Sequence, residues 1–109
     1  MPFDERLAQR VRHVLAERDK VVERKMFGGL AFIVNGHMCC GIVGEELVVR
    51  VGADNHKQAL SQPYARPMDF TGRAMKGFVY VGPSGCRNNA TLTKWIDRGL
   101  RFVLSLPPK

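Results

Sequence analysis

The longest apolar region of the chain extends from Lys25 to Val51, and short polar breaks divide it into strand-length pieces. Asn35-Gly36 is the clearest of these breaks, because Asn and Gly best tolerate the positive φ angles that both central residues of a type I′ turn require. The flanking apolar runs therefore predict a tight hairpin in which Val34 lies opposite His37.

Both faces of this predicted hairpin are largely apolar, whereas a sheet with one face in water alternates apolar and polar residues. A two-residue turn places four of the apolar residues on one face, namely Leu30, Phe32, Val34 and Cys39. The other face receives Ala31, Ile33, Met38, Cys40 and Ile42. An uncovered apolar face usually marks an interface, and a two-fold homodimer is the most common way to bury one. We therefore expect a homodimer with interface residues Ala31, Ile33, Met38 and Ile42; the alternative cover is a short helix at Asp54–Leu60.

Helical spacing of apolar residues predicts one helix near each end of the chain. The first begins after a cap at Asp4 and ends near Glu17, with an apolar stripe of Leu7, Val11, Val14 and Leu15. The last is capped by Asn89 or Thr91 and ended by Pro107-Pro108, with a stripe of Leu92, Trp95, Ile96, Gly99 and Val103.

Strands are also predicted at Val21–Phe27 and Leu47–Val51, and a second hairpin pairs Met68–Phe70 with Phe78–Val81. The short helix at 55–60, capped by Asp54, completes the order α-β-β-β-β-α-β-β-α. Consecutive hairpins with helices outside them indicate a single α+β domain over residues 1–109, a two-layer structure with helices packed on an antiparallel sheet.

The net charge of +7 is concentrated in the C-terminal part of the chain, where residues 63–109 carry eight Lys/Arg against two Asp/Glu. The candidate nucleic-acid contacts are Arg87, Lys94, Arg98 and Arg101, with Arg66, Arg73 and Lys76 as further positions. Several such cations on one surface bind phosphates without sequence preference. The alternative is that this is the solvated face of an amphipathic helix.

The chemistry-bearing residues do not form a recognisable catalytic or metal site. In a regular strand His37 and Cys39 share a face while Cys40 points away, so one ion would gain at most two ligands, and tetrahedral zinc needs four, or three and a water. Three cysteines are an odd number, which argues against a disulfide framework and favours a reducing, cytosolic compartment. No signal region and no apolar run long enough to cross a bilayer is present. We expect no metal, no cofactor, no catalytic residue and no enzymatic activity.

Three ordered stretches are similar to the N-terminal domain of the TfoX/Sxy proteins: Lys25–Gly41, Leu47–Val51 and Arg66–Val81, followed by the Trp95-Ile96 helix. The resemblance covers nearly the whole chain. It implies helices on an antiparallel sheet and a link to bacterial gene regulation, since the best-known members are coactivators of competence genes. The chain ends at Lys109, where the full-length regulators continue into a C-terminal helical domain, so we expect a stand-alone domain. The resemblance implies an adaptor that acts through protein contacts in transcription regulation; the alternative is direct, weakly specific nucleic-acid binding.

Overall fold

The computed structural model of the chain describes residues 3–16, 18, 21–26, 28–70 and 73–107, and for residues 69, 70 and 73–75 the backbone only. The strands are β1 (Val21–Met26), β2 (Gly29–Val34), β3 (His37–Val43), β4 (Glu46–Arg50), β5 (Ala65–Phe70) and β6 (Arg73–Val81). The helices are α1 (Glu5–Val14), α2 (His56–Leu60) and α3 (Asn89–Leu104). The strands form one antiparallel sheet in the order β1-β2-β3-β4-β6-β5. The predicted α+β class and element order are confirmed.

The turn between β2 and β3 has the predicted geometry. Asn35 has φ of 53° and Gly36 has φ of 83°, and both values lie in the left-handed region that a type I′ turn requires. Val34 pairs with His37, and Ile33 pairs with Met38. The start of the hairpin therefore has the predicted register.

One residue further from the turn, the register of β2 and β3 shifts. Phe32 pairs with Cys40 and not, as predicted, with Cys39, so Cys39 is an extra residue in β3. A β-bulge of this kind opposes two residues on one strand to one on its partner and interrupts the alternation of side chains. Cys39 and Cys40 consequently belong to the same core cluster, on the side of the sheet that carries the helices.

The bulge also corrects the predicted faces of β3. Cys40 and Ile42 were expected on the face that carries Ala31, but both are fully buried in the helix-covered core. The physical reason is the side-chain period of two: one extra residue moves every later side chain to the opposite face. Ile42 therefore does not lie on the face that was predicted as a dimer interface.

All three helices pack against the same face of the sheet. Its core contains the predicted stripe of α3, which is buried throughout: Leu92, Trp95, Ile96, Gly99 and Val103. From α1 it receives Leu7, Ala8 and Val11. Ala59 of α2 is buried in the same core, and α2 contacts β5 and β6. The alternative in which the short helix covers the second face is therefore wrong.

The opposite face of the sheet is called the helix-free face here. Its buried members all come from strands: Ala31, Met38, Val48, Met68 and Tyr80. Partly buried side chains pack around them, namely Met26, Ile33, Val43 and Phe78. Within the described residues, no helix contributes to this second core. The sheet thus separates two apolar clusters, of which only one is covered by helices.

The predicted cap of α1 is confirmed, because the Asp4 carboxylate accepts the backbone N–H groups of Arg6 at 2.9 Å and Leu7 at 3.3 Å. The helix ends at Val14, earlier than predicted. Glu17, the predicted end of this helix, lies outside the described residues. The same holds for Phe27, the predicted end of the first strand, and for Pro108, the second proline of the pair predicted to end the last helix.

The predicted caps of the other two helices are wrong. Asn88 caps α3, one residue before the predicted Asn89, and its Oδ1 accepts the N–H of Thr91 at 2.8 Å. Asp54 lies inside a 3-10 turn at Ala53–Asn55 that precedes α2, and the helix has no side-chain cap. In both helices the residue at the N-cap position is a polar neighbour of the predicted one, Asn88 in α3 and Asn55 in α2. The spacing of apolar residues does not determine a helix start to within one residue.

Candidate functional site

The exposed side of α3 carries the cations that the sequence pattern selected. Lys94 and Arg101 are exposed and Arg98 is partly buried. We call these three residues the basic stripe. Their spacing of four and three residues places them along one side of the helix. Asp97 is the acidic residue of this helix, and within the described part of the chain it makes no ion pair with them.

The basic stripe borders three depressions, and one of them, of about 430 Å³ beside residues 52–55, is lined by Arg101 alone of the three. Lys94 and Arg98 line a cavity of about 350 Å³ that lies next to residues 62–64. Arg98 and Arg101 line a smaller one, of about 90 Å³, beside α2. The structure therefore brings these three predicted residues together on one continuous surface.

The other predicted cations do not join that surface. Arg66 lies over the Tyr80 ring at 4.4 Å and pairs with Glu46 on the helix-free side of the sheet. Arg87 is exposed just before α3, and its carbonyl oxygen accepts a hydrogen bond from Arg10 of α1. Lys76 is exposed on β6, and the side chain of Arg73 is outside the description. The basic residues of 66–101 thus converge only in part.

The Arg98 guanidinium is held by an aromatic ring. Its central carbon lies 5.0 Å from the centre of the Trp95 ring, within the range of a cation–π contact. Trp95 itself is buried under the helix. A guanidinium in such a contact can still donate its N–H groups to an anion.

A second basic flank lies along α1. Arg6, Arg10 and His13 line a depression of about 400 Å³ together with Asn89 and Thr93 of α3. Arg10 Nη2 donates to the carbonyl of Arg87 and to Oδ1 of Asn89, both at 3.2 Å. Arg10 therefore ties α1 to the start of α3, which is a structural role.

The cysteines are free thiols in closed surroundings. Cys39, Cys40 and Cys86 are all buried. A hydrogen bond with Cys39 and burial raise the pKa of the Cys40 thiol well above its usual range. Burial raises the pKa of Cys86 to about 11, against a smaller opposing effect of Arg10. The Cys40 and Cys86 thiols are therefore protonated at neutral pH.

The bulge overturns one step of the metal argument, because it places Cys39 and Cys40 on the same face. His37 does not complete a site with them: its Nε2 lies 2.7 Å from the carbonyl oxygen of Pro107. In the described ranges, no three His, Cys, Asp or Glu side chains are grouped as metal ligands would be. The pair of thiols is enclosed by the helix-side core.

Sequence reasoning missed Tyr64, which lines the cavity of about 350 Å³ beside Lys94. Its φ of 68° is in the left-handed region, and the residue is 61% exposed. The cavity joins three separate segments, residues 62–64, residues 84–88 and the first half of α3. The sequence carries no spacing signal for such a site, since only the folded sheet brings the segments together.

The matched residues of a family comparison cover most of this structure. The profile of the TfoX N-terminal domain matches residues 13–103, from the end of α1 to the end of α3. The chain belongs to the TfoX N-terminal domain family. Neither the curated proteins nor the solved structures include a significant match to it.

The TfoX N-terminal domain family is associated with competence regulation and is not a known enzyme family. The suspected resemblance is therefore confirmed for the domain. Among the described residues of this TfoX N-terminal domain, no helix has both the length and the apolar character needed to cross a bilayer.

Proposed function

We propose that this TfoX N-terminal domain is a small cytoplasmic adaptor in bacterial transcription regulation that works through protein contacts and not through catalysis. Family membership supports the regulatory role. The observation that carries the proposal is the helix-free face, where a cluster of apolar strand residues has no helix over it among the described residues. Faces of this kind are characteristic of protein interfaces.

We propose a second copy of the chain as the occupant of this face. Ile33, Val43 and Phe78 are only partly buried there, and Val22 of β1, which pairs with Ile33, is 49% exposed. The apolar patch is self-complementary, because apolar side chains need no charged partner. An isologous dimer places the same patch on both sides of a two-fold axis. Ile33 and Met38 remain proposed interface residues, with Ala31 beneath them, and Ile42 does not.

The expected energy is sufficient for a dimer. Burying several hundred Å² of apolar surface contributes on the order of 10 kcal/mol at about 25 cal/mol per Å², before association costs of comparable size are subtracted. The remainder corresponds to a weak dimer, with a dissociation constant above the micromolar range. A dimer of this strength dissociates on dilution.

Light scattering coupled to gel filtration tests the dimer. The expected mass at high protein concentration is twice the 12.2 kDa of the chain. Ile33→Lys should return the mass to that of a monomer, because a charge would be buried in the interface. The matched control is Leu104→Lys, since Leu104 is 42% exposed but lies on α3. A wild-type mass of 12.2 kDa at all concentrations would remove the dimer proposal.

A second candidate function is weakly specific binding of duplex DNA by the basic stripe. The convergence of Lys94, Arg98 and Arg101 on one surface favours it. Three phosphate contacts would give a slope of about −3 for log K against log salt concentration. Arg87 is proposed only as an additional contact, since it lies at the α1 side of the α3 start.

Fluorescence anisotropy with a labelled duplex at several salt concentrations tests this candidate. Replacing all three stripe residues by Glu should abolish binding, and the salt slope should decrease by about one for each single change to Gln. Arg66→Glu is the control, because Arg66 lies on the other side of the sheet. Binding that survives the triple change would exclude this surface.

A further inference from the structure

The cavity beside the first half of α3 has the form of a small-ligand site. It encloses about 350 Å³ and is bordered by residues 62–64, by Ser84, Gly85 and Asn88, and by α3. That volume lies at the lower end of the range for ligand pockets. It suits one small molecule of the size of a single nucleotide.

The aromatic wall of the cavity is Tyr64, whose position is held by the backbone. The N–H of Gly82 donates to the Tyr64 carbonyl at 3.0 Å. A Cβ on Gly85 would lie 3.0 Å from the Tyr64 Cβ, so glycine permits the close approach. A left-handed backbone at a tyrosine costs on the order of 1 kcal/mol, and burial does not offset it, because the residue is 61% exposed.

The part of the cavity that α3 lines is positively charged. Lys94 and Arg98 lie one helical turn apart, and the residues that line the cavity include no Asp or Glu. Neither cation makes an ion pair with any residue that the structure describes. The remaining lining residues supply polar groups, namely Gln62, Ser84, Asn88 and Thr91. The Arg98 guanidinium lies 5.0 Å from the centre of the Trp95 ring, and a guanidinium can donate two parallel hydrogen bonds to one anion.

We infer that this cavity binds a nucleotide, with the base stacked on the Tyr64 ring and the phosphate on Lys94 and Arg98. The same cavity is lined by an exposed tyrosine and by two cations that make no ion pair with the described residues, and these match the two halves of that ligand. Stacking on a tyrosine and contact with guanidinium and ammonium groups are the usual means of binding a base and a phosphate. The inference goes beyond the proposed protein contacts and does not depend on them.

The test uses Trp95, which is the single tryptophan of the chain and lines the cavity. The indole N–H resonance of labelled full-length protein is followed during titration with AMP, adenosine or ribose 5-phosphate. AMP should give a saturable shift and bind at least about tenfold more tightly than either half, because it engages both walls. No saturable shift with AMP at millimolar concentration would overturn the inference.

Variants separate the two walls. Tyr64→Ala should lower the affinity for AMP about tenfold and leave that for ribose 5-phosphate unchanged, whereas Tyr64→Phe should retain AMP binding. Lys94→Gln should weaken both phosphate ligands, and it affects an exposed side chain that does not support the fold. Arg101→Gln is the control, because Arg101 is not among the residues that line this cavity. Equal AMP affinity in the wild type and in both Tyr64→Ala and Lys94→Gln would place the ligand elsewhere and overturn the inference.

The nucleotide can be free or part of a single strand, and a short oligonucleotide distinguishes these sources. If a strand is the source, the oligonucleotide should bind at least about tenfold more tightly than AMP, and the gain should be reduced by Arg101→Gln. If a free nucleotide is the source, lengthening the ligand should give no gain. In either case Tyr64→Ala should weaken binding. If it leaves the affinity for both AMP and the oligonucleotide unchanged, the proposed site is wrong. The dimer and duplex binding are tested by separate measurements. A negative result in those measurements can therefore be distinguished from a negative result for nucleotide binding.

Discussion

Gly99 of α3 lies directly over Cys39, the bulged residue of β3. A Cβ built on Gly99 would be 2.7 Å from the carbonyl oxygen of Cys39 and 3.1 Å from its Sγ. Real Cβ atoms do not approach a backbone oxygen so closely, so α3 can rest on the sheet at this height only with a glycine. The bulge and the glycine are therefore parts of one packing arrangement.

Gly99→Ala should destabilise the fold by about 1–3 kcal/mol, because the added methyl group pushes α3 away from β3. Helix propensity alone predicts the opposite sign, since alanine is favoured over glycine within a helix by about 1 kcal/mol. Urea denaturation measures the difference. Gly82→Ala is the matched control: the nearest atom to its Cβ is 3.8 Å away, and we expect almost no loss. A Gly99→Ala protein as stable as the wild type would refute the close-packing interpretation.

The three thiols should be unreactive towards a thiol reagent in the native protein at pH 8. All three are buried away from the reagent, and burial also raises the pKa of Cys86 to about 11, so that thiol forms very little thiolate. In denaturant, all three cysteines of the chain should react rapidly. Rapid labelling of one or more thiols in the native protein would contradict their burial in a closed core.

Alkaline pH should also reduce the stability of the fold through Cys86. The thiol ionises near pH 9 in the unfolded chain and near pH 11 in the folded one, so the folded state binds more protons between these values. The free energy of unfolding therefore falls as the pH rises from about 9 to about 11. Above that range, Cys86 causes no further decrease. Cys86→Ala should show a shallower decrease over the same window in urea titrations.

The ion pair between Arg12 of α1 and Glu23 of β1 should make only a small, pH-dependent contribution. Arg12 donates from Nε at 2.6 Å and from Nη2 at 2.8 Å, and these bonds lower the pKa of the Glu23 carboxyl. A carboxyl with a lowered folded-state pKa stabilises above its unfolded value and loses that effect as the pH falls through the lowered one.

Arg12→Gln should therefore cost less than about 1 kcal/mol at neutral pH, because both side chains are more than one third exposed. The difference from wild type should disappear in acid, once Glu23 is protonated. Arg24→Gln is the control, because Arg24 lies beside Glu23 on β1 and makes no ion pair with the described residues. A loss that is equally large in acid would assign the role of Arg12 to packing.

The turn at Asn35-Gly36 predicts the effect on stability of adding a single Cβ atom. Gly36→Ala should lower stability by about 1 kcal/mol, because a Cβ is strained at φ of 83°. Asn35→Gly should change it by only a few tenths, since glycine adopts the φ of 53° without strain. Thermal denaturation of both variants checks the order. A Gly36→Ala protein at least as stable as Asn35→Gly would contradict the turn geometry.

Local signals predicted the parts of the fold that depend on neighbouring residues in sequence. The Asn35-Gly36 turn follows from φ preferences, and the buried stripe of α3 follows from helical spacing. The bulge could not be predicted in the same way, because Cys39-Cys40 looks like any pair of small apolar residues. It depends on how α3 meets β3, which is a contact between distant parts of the chain.

The candidate site was predictable to the same limited extent. The sequence selected Lys94, Arg98 and Arg101 because they share one side of a single helix. It gave no indication that Arg66 would lie on the other side of the sheet or that Tyr64 would reach the same cavity as Lys94. Those placements depend on strand order and on the path of the loop before β5, which no local pattern encodes.

The extra residue in β3 also determines how related chains should be aligned. If Cys39 were removed, Ile33–Met38, Phe32–Cys40 and Leu30–Ile42 would remain partners in an uninterrupted ladder. A gap at this point therefore leaves each apolar cluster with its own residues, whereas a gap elsewhere in the strand would exchange them. Relatives one residue shorter here should retain both cores, and their α3 should no longer require a glycine at the position of Gly99.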